Sequence, residues 1–230
     1  MDKILSHIRI KVHPGLYHKD PESSELGRKI LTNAIEQIEC KGFEAFTFRK
    51  LAQAIPSTEA SVYRYFESKH KLLLYLISWY WAWLEYRLVF GLANIESPID
   101  RLHKAVSLLT ETVEDDGDFS YLNKSLLYRI VIAESSKAYF TKSVDEENKE
   151  GIYLGYKQLV QRVSDIIKEI NPDYPFSHML VSTVLEGAQQ QRFFAEHLPR
   201  LTDTLPEKDA VSTFYTQLVM RSVKNKPSNK

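Results

Sequence analysis

Between Phe46 and Lys71 the chain reads FTFRKLAQAIPSTEASVYRYFESKHK, and a proline near its middle leaves few folds open. Phe48, Leu51, Ala52 and Ile55 recur at helical spacing, and Thr47 stands where a capping hydroxyl is needed. Pro56 cannot continue that helix, because its ring removes a backbone donor and crowds the preceding turn. Ser57 or Thr58 then caps a second short helix, Glu59 to Tyr65. In it Ala60 and Tyr63 are predicted to turn inward, with Glu59, Ser61, Arg64 and Tyr65 nearer the surface. Phe66 closes the unit, and Ser68 caps a third, longer helix. Two short helices across a tight turn, the second polar on one side, predict a helix-turn-helix. The second helix of such a unit is narrow enough to enter the DNA major groove.

Upstream, Asp20-Pro21 is predicted to open a helix whose inward stripe is Ile30, Leu31, Ala34, Ile35 and Ile38, with Gly42 as its stop. Three helices therefore make one small domain ending near Phe66. Over residues 29–77 this domain resembles the DNA-binding domain of TetR-type (TetR/AcrR) transcriptional regulators. The resemblance is carried by Ile30, Leu31 and Ala34; by Gly42 and Thr47; by Leu51 and Ala52; and by Val62, Tyr63, Phe66, Lys69, Leu72 and Leu73, in one ungapped register. It covers about a fifth of the chain.

That resemblance implies an all-α protein: an N-terminal three-helix helix-turn-helix domain plus a larger C-terminal helical regulatory and dimerisation domain. The expected division is an arm over 1–19, a DNA-binding domain over 20–67, an effector-binding and dimerisation domain over 68–223, and a flexible tail over 224–230. It further implies a repressor that binds a double-stranded DNA operator as a homodimer and is released by a small-molecule effector. DNA contacts are implied at Thr47, Thr58, Glu59, Ala60, Ser61, Tyr63, Tyr65 and Lys69, the last as a phosphate contact. The last two long helices, Pro175–His197 and Pro206–Ser222, would pair across the dimer through Val184, Gly187, Ala188, Gln191, Phe214 and Leu218. Effector binding would pivot the third helix at its Ser68–Lys71 end and spoil the match to half-sites ~34 Å apart.

Two residues depart from the family pattern. Pro56 stands where many members have a turn glycine, and it is expected to deny the turn a positive φ. Glu59 puts a carboxylate on the groove-facing side, where it either accepts from a cytosine amino group or repels the duplex. Both favour the rival reading, a helical module for a protein or lipid-like partner that keeps the helix-turn-helix as scaffold.

The helix from Ser68 is predicted to run to about Ala93, ~39 Å at 1.5 Å per residue. Its most apolar run, Leu72 to Leu84, is shorter than the ~20 residues that span a bilayer, so no membrane partner is expected. The N-terminus lacks a signal-peptide core, and a cytoplasmic protein is expected. Trp79, Trp83, Tyr86 and Phe90 share one face. They make either the wall of an effector pocket, with Tyr128, or plain core. Alternation of Ile8, Ile10 and Val12 with Arg9 and Lys11 suggests a short strand, either lying on its own domain or following the DNA backbone.

Further on, Ile99, Leu102, Val106, Leu109 and Val113 form one stripe, and Asp115 to Asp118 a solvated break. Helices are predicted within Phe119–Phe140 and over Asp145–Ile170, and a last one with Ala210, Val211, Phe214, Leu218 and Arg221 in register. Charge separates weakly: residues 1–75 carry 12 Lys+Arg against 9 Asp+Glu, within a chain of zero net charge. The single cysteine, Cys40, rules out an internal disulfide and is expected in the core. No metal-spaced His/Cys cluster, phosphate-binding glycine loop or nucleophile–base arrangement stands out, so neither enzyme activity, metal nor cofactor is expected.

Overall fold

The computed structural model describes residues 10–114 and 121–224. Among these, eleven α-helices form and no strand, the expected all-α class. The predicted strand falls partly on residues 1–9, and the acidic break and the tail on 115–120 and 225–230, all outside the described residues. Of the strand pattern only Ile10–Val12 is described, and it is irregular rather than extended pairing.

The chain divides into two compact units. One runs to Trp83 and resumes over Val113–Gly155; the other takes Leu84–Thr112 and continues from Tyr156. The helix-turn-helix thus shares a unit with residues well past the functional boundary expected at residue 68.

In the first unit, Asp20 accepts the Glu22 N–H at 2.9 Å and starts only a 3-10 turn, Pro21–Ser23. Ser24 then adopts extended backbone, φ −146°, and its hydroxyl caps α1 (Glu25–Lys41) at the Gly27 N–H. The first helix therefore starts later than Asp20-Pro21 predicts, because two capping side chains in succession split the segment. Its inward stripe is the expected one: Ile30, Leu31, Ala34, Ile35 and Ile38 are all buried, each contributing about 1.5–3 kcal/mol where the side chain is large. Cys40 lies off that stripe and is exposed, contrary to expectation.

After α2 (Phe48–Ala54) and α3 (Glu59–Tyr63) comes α4 (Lys69–Leu92). Its first half is apolar all round and buried all round, Leu72 to Ile77 with Trp79, Tyr80, Trp81 and Trp83. The Trp81 indole N–H donates to the Tyr139 hydroxyl at 2.6 Å, and the Tyr80 ring stacks on Tyr128 at 6.0 Å. These partners belong to α6 (Lys124–Glu134) and to α7 (Ser136–Tyr139), labelled after α5 (Pro98–Thr110) of the other unit.

Two buried carboxylates tie this packing to the helix-turn-helix. Glu134 accepts the Phe43 N–H at 2.9 Å and pairs with Lys137 at 2.6 Å. That pair holds the Lys137 ammonium above its ordinary range. In α8 (Val144–Lys149), Glu147 accepts from the Tyr153 hydroxyl at 2.6 Å and meets His70 Nε2 at 2.9 Å. Burial, reinforced by Glu147, pushes the Tyr153 hydroxyl far above its ordinary range.

The single helix predicted over Asp145–Ile170 is two. Gly151 takes φ 88°, which L side chains avoid, and separates α8 from α9 (Leu154–Ile170).

The second unit is built from the end of α4, α5, most of α9, α10 (Ser177–His197) and α11 (Ala210–Lys224). Ser97 caps α5 at the Asp100 N–H, with Pro98 in the first turn. Ile99, expected inward, is exposed, since it sits in that first turn. Leu102, Val106, Val163, Ile167, Val184 and Val219 help enclose a void of about 10 Å³, no larger than one water. On α11 the inward stripe is Val211, Tyr215, Val219, Met220 and Val223. The predicted register would have buried Arg221, a charge with no partner there; the observed one is apolar throughout.

Candidate nucleic-acid interface

Local chemistry fixes both short helices of the helix-turn-helix. Thr47 Oγ1 accepts the Lys50 N–H at 3.3 Å and starts α2. Thr58 Oγ1 accepts the Ser61 N–H at 3.2 Å and starts α3, its hydroxyl 2.8 Å from that of Ser61. Between them the Ser57 N–H reaches back to the Ala52 carbonyl at 3.0 Å. Pro56 has φ 25°, so the turn does take a positive φ there, against expectation and against the preference of its ring.

With five residues, α3 buries one anchor, Val62, fully. Its exposed face carries Thr58, Glu59, Ala60, Tyr63 and Arg64, with Ser61 half-buried. Ala60 and Tyr63 thus face outward rather than inward. Tyr63 is 48% exposed, its ring leaning edge-on against Phe48 at 5.0 Å. This face offers hydroxyls, a carboxylate, a methyl and a guanidinium, the groups that read base edges and phosphates.

Tyr65 and Lys69 are placed differently from the implied DNA contacts. Tyr65 is 3% exposed and its hydroxyl lies 2.8 Å from that of Ser24. Burial raises this phenol, but the Ser24 hydroxyl and the Lys19 ammonium outweigh it and hold it below its ordinary value. The Lys69 ammonium donates to the carbonyls of Phe43, Glu44 and Phe46 at 3.1, 3.3 and 3.5 Å. It also sits 4.6 Å from the Phe43 ring centroid. All three of its donors are directed into the loop before α2, where the phosphate reading expected them outward.

Sequence reasoning missed Arg49 and Arg64. Both are exposed, Arg49 in α2 and Arg64 at the end of α3, and no ion pair of either is found among the described residues. Their charge, next to Thr47 and Tyr63 in the chain, was the available signal.

The aromatic residues of the α4 stripe have different surroundings. The Trp79 indole donates to Glu22 Oε1 at 3.1 Å, Trp83 and Tyr128 flank Tyr80 in the first unit, and Phe90 is exposed. Tyr86 instead meets the Phe90 ring at 4.4 Å.

The predicted dimer residues also separate. Val184 and Ala188 are buried in their own unit. Gly187 is small because a β-carbon there would lie 2.1 Å from the Tyr215 hydroxyl of the same chain. Gln191 and Phe214 line an open groove of about 520 Å³ with Leu201, Leu205, Val211 and Gln217. Leu218 is half-buried. Among the described residues no group of three or more His, Cys, Asp or Glu could hold a metal ion, and no helix is long and apolar enough to cross a membrane.

The described residues form an all-helical fold with an N-terminal helix-turn-helix whose second helix is polar and exposed, the architecture of the helix-turn-helix class. Residues 30–76 match the family model described as bacterial regulatory proteins, tetR family. Solved structures share the fold. A TetR-family transcriptional regulator from Bordetella parapertussis 12822 is similar at 16% identity, with 86% of this chain and 95% of that one covered and a TM-score of 0.57. AibR, solved in complex with isovaleryl coenzyme A and operator DNA, is similar at 15% identity, with 84% and 97% covered and a TM-score of 0.52. Superantigen PfiT is similar at 14% identity, with 90% and 100% covered and a TM-score of 0.58. Comparison with curated proteins finds no match. Residues 30–76 thus carry the domain described by the tetR family model, and the chain shares the fold of solved TetR-family regulators.

Proposed function

We propose that the protein is a sequence-specific DNA-binding repressor that docks on its operator as a homodimer and is released by a small-molecule effector. The carrying observation is the division of α3: Val62 and the adjoining Tyr65 are buried anchors, while Thr58, Glu59, Ala60, Tyr63 and Arg64 form one exposed polar face. AibR, of similar fold, is described with operator DNA and an acyl-coenzyme A bound, which supports both halves of the reading. In this proposal Arg49 and Arg64 contact phosphates, Thr47 and Tyr63 add hydroxyls, and Thr58 to Ser61 meet base edges. The region beyond residue 68 carries the effector and dimer functions.

Pairing uses the outer faces of α10 and α11. Met179 at 66% exposure, Phe214 at 57% and Phe193 at 36% are large apolar side chains without full cover. Lys69 is tied to the loop before α2, and His70 and Lys71 to Glu147, so the Ser68–Lys71 end is a poor pivot. The effector signal moves the helix-turn-helix together with the first turns of α4.

Selection of duplexes from a random pool, followed by fluorescence anisotropy at several salt concentrations, tests the function. The proposal expects an enriched site with two half-sites ~34 Å apart and affinity that falls steeply with salt. Glu59 and the strained Pro56 favour the rival reading, a partner-binding module on a helix-turn-helix scaffold. Enrichment of no sequence, with weak binding to all duplexes alike, would establish that rival.

A further inference from the structure

A five-residue helix has barely one turn of its own hydrogen bonds, so tertiary contacts at its ends set its pose. The leading end of α3 is held by the Thr58 cap and by the turn from α2. Its trailing end is held by a segment far away in sequence. Residues 10–24 cross the domain as a strap, anchored by its own buried Ile10, Leu16 and Pro21. The strap closes on Tyr65 from three directions. The His18 N–H donates to the Tyr65 carbonyl at 2.8 Å, the Ser24 and Tyr65 hydroxyls are 2.8 Å apart, and the Lys19 ammonium lies 5.2 Å from the ring centroid.

The same strap is fastened to α4. The Tyr17 ring meets Tyr75 edge-on at 5.9 Å, and Glu22 accepts the Trp79 indole N–H at 3.1 Å. Ser24 is also the cap of α1, its hydroxyl accepting the Gly27 N–H. One side chain therefore joins the start of α1 to the end of α3.

We propose that this strap positions the recognition helix, and that Tyr65 is the positioning residue through which it acts on DNA recognition. The proposal rests on the DNA-binding reading above. Tyr65 is buried under the strap, while the exposed groups proposed to read DNA run from Thr58 to Arg64. Fixing the last turn fixes the angle at which that face is presented, on which discrimination between sequences depends more than non-specific attraction does.

The test compares native protein with Tyr65→Phe, Ser24→Ala and Ser24→Thr, at a temperature well below each unfolding midpoint. Probes are a duplex enriched by the native protein and a scrambled duplex of equal composition. Tyr65→Phe and Ser24→Ala are each expected to weaken binding to the enriched duplex about three- to tenfold, the worth of one hydrogen bond. The scrambled duplex and the salt slope should be unaffected. Ser24→Thr, which keeps a hydroxyl, restores the preference. Equal loss on both duplexes, or no loss on the enriched one, overturns the proposal.

Amide hydrogen exchange supplies a readout without DNA. Tyr65→Phe should speed exchange at Ser61 to Phe66 and leave α9 to α11 unchanged, and unaltered exchange at Ser61 to Phe66 overturns the strap. Failure of the native protein to enrich any duplex would count against the DNA-binding reading, and the exchange result would still decide whether the strap holds the helix.

Discussion

Lys69→Ala separates two accounts of the start of α4 by a stability and a salt measurement. In the structure the ammonium serves the Phe43, Glu44 and Phe46 carbonyls at 3.1, 3.3 and 3.5 Å and lies 4.6 Å from the Phe43 ring centroid. A well-formed hydrogen bond to a charged group contributes about 1.5–3 kcal/mol. Only the first of the three has ordinary length, and the others are stretched. A cation–π contact at this exposure adds about 0.5–1 kcal/mol. With the lower end of the bond range and partial credit for the long contacts, removal costs about 2–3 kcal/mol.

For a chain of this size each kcal/mol moves the midpoint about 2–4 °C, so a fall of about 5–10 °C is expected by calorimetry or circular dichroism. The salt slope of DNA binding should not change. A residue contacting phosphate behaves in the opposite way: the midpoint holds, and the slope shrinks by about 0.9. That opposite outcome would refute the structural role assigned to Lys69.

Glu59→Gln keeps the fold, because the side chain is exposed, with a stability change within about 0.5 kcal/mol; duplex selection should then change base preference at one position per half-site. Gly187→Ala forces a β-carbon to within 2.1 Å of the Tyr215 hydroxyl and should cost about 1–3 kcal/mol in urea unfolding, partly recovered by adding Tyr215→Phe. Burial raises the Asp209 carboxyl, but the Arg192 guanidinium and the Ser212 N–H outweigh it and hold it below the ordinary 3.8. A depressed folded value means stability present above the ordinary carboxylate range and lost as pH falls through the folded value. Asp209→Asn should therefore lower stability at neutral pH and flatten its decline on the acid side, measured by denaturant midpoints across pH.

Legibility in the sequence followed how local the physics was. Thr47 caps as read, Thr58 is the one of the two candidates, Ser57 and Thr58, that caps, and the α1 stripe is buried as read, because caps and periodicity depend on neighbours in the chain. Tyr65 was misplaced because what covers it, Ser24 and His18, lies more than forty residues away. Lys69 looked like a phosphate ligand because nothing local reveals that the carbonyls of Phe43, Glu44 and Phe46 converge on it. Gly187 looked like an interchain contact, yet its smallness answers to Tyr215 on a later helix. In α11 two stripes were apolar enough to compete, and only the end at Arg221 against Val223 separates them. Arg49 and Arg64 were visible as charges, but their exposure came only with the structure.

The central claim is that the exposed side of α3, with the start of α2, is the surface that meets DNA. Amide hydrogen exchange of the native protein, with and without saturating enriched duplex, tests it most directly. Protection confined to about Thr47–Lys50 and Thr58–Arg64 is the predicted result. Saturation with the duplex that leaves those amides unchanged, or shields only helices of the second unit, would contradict it.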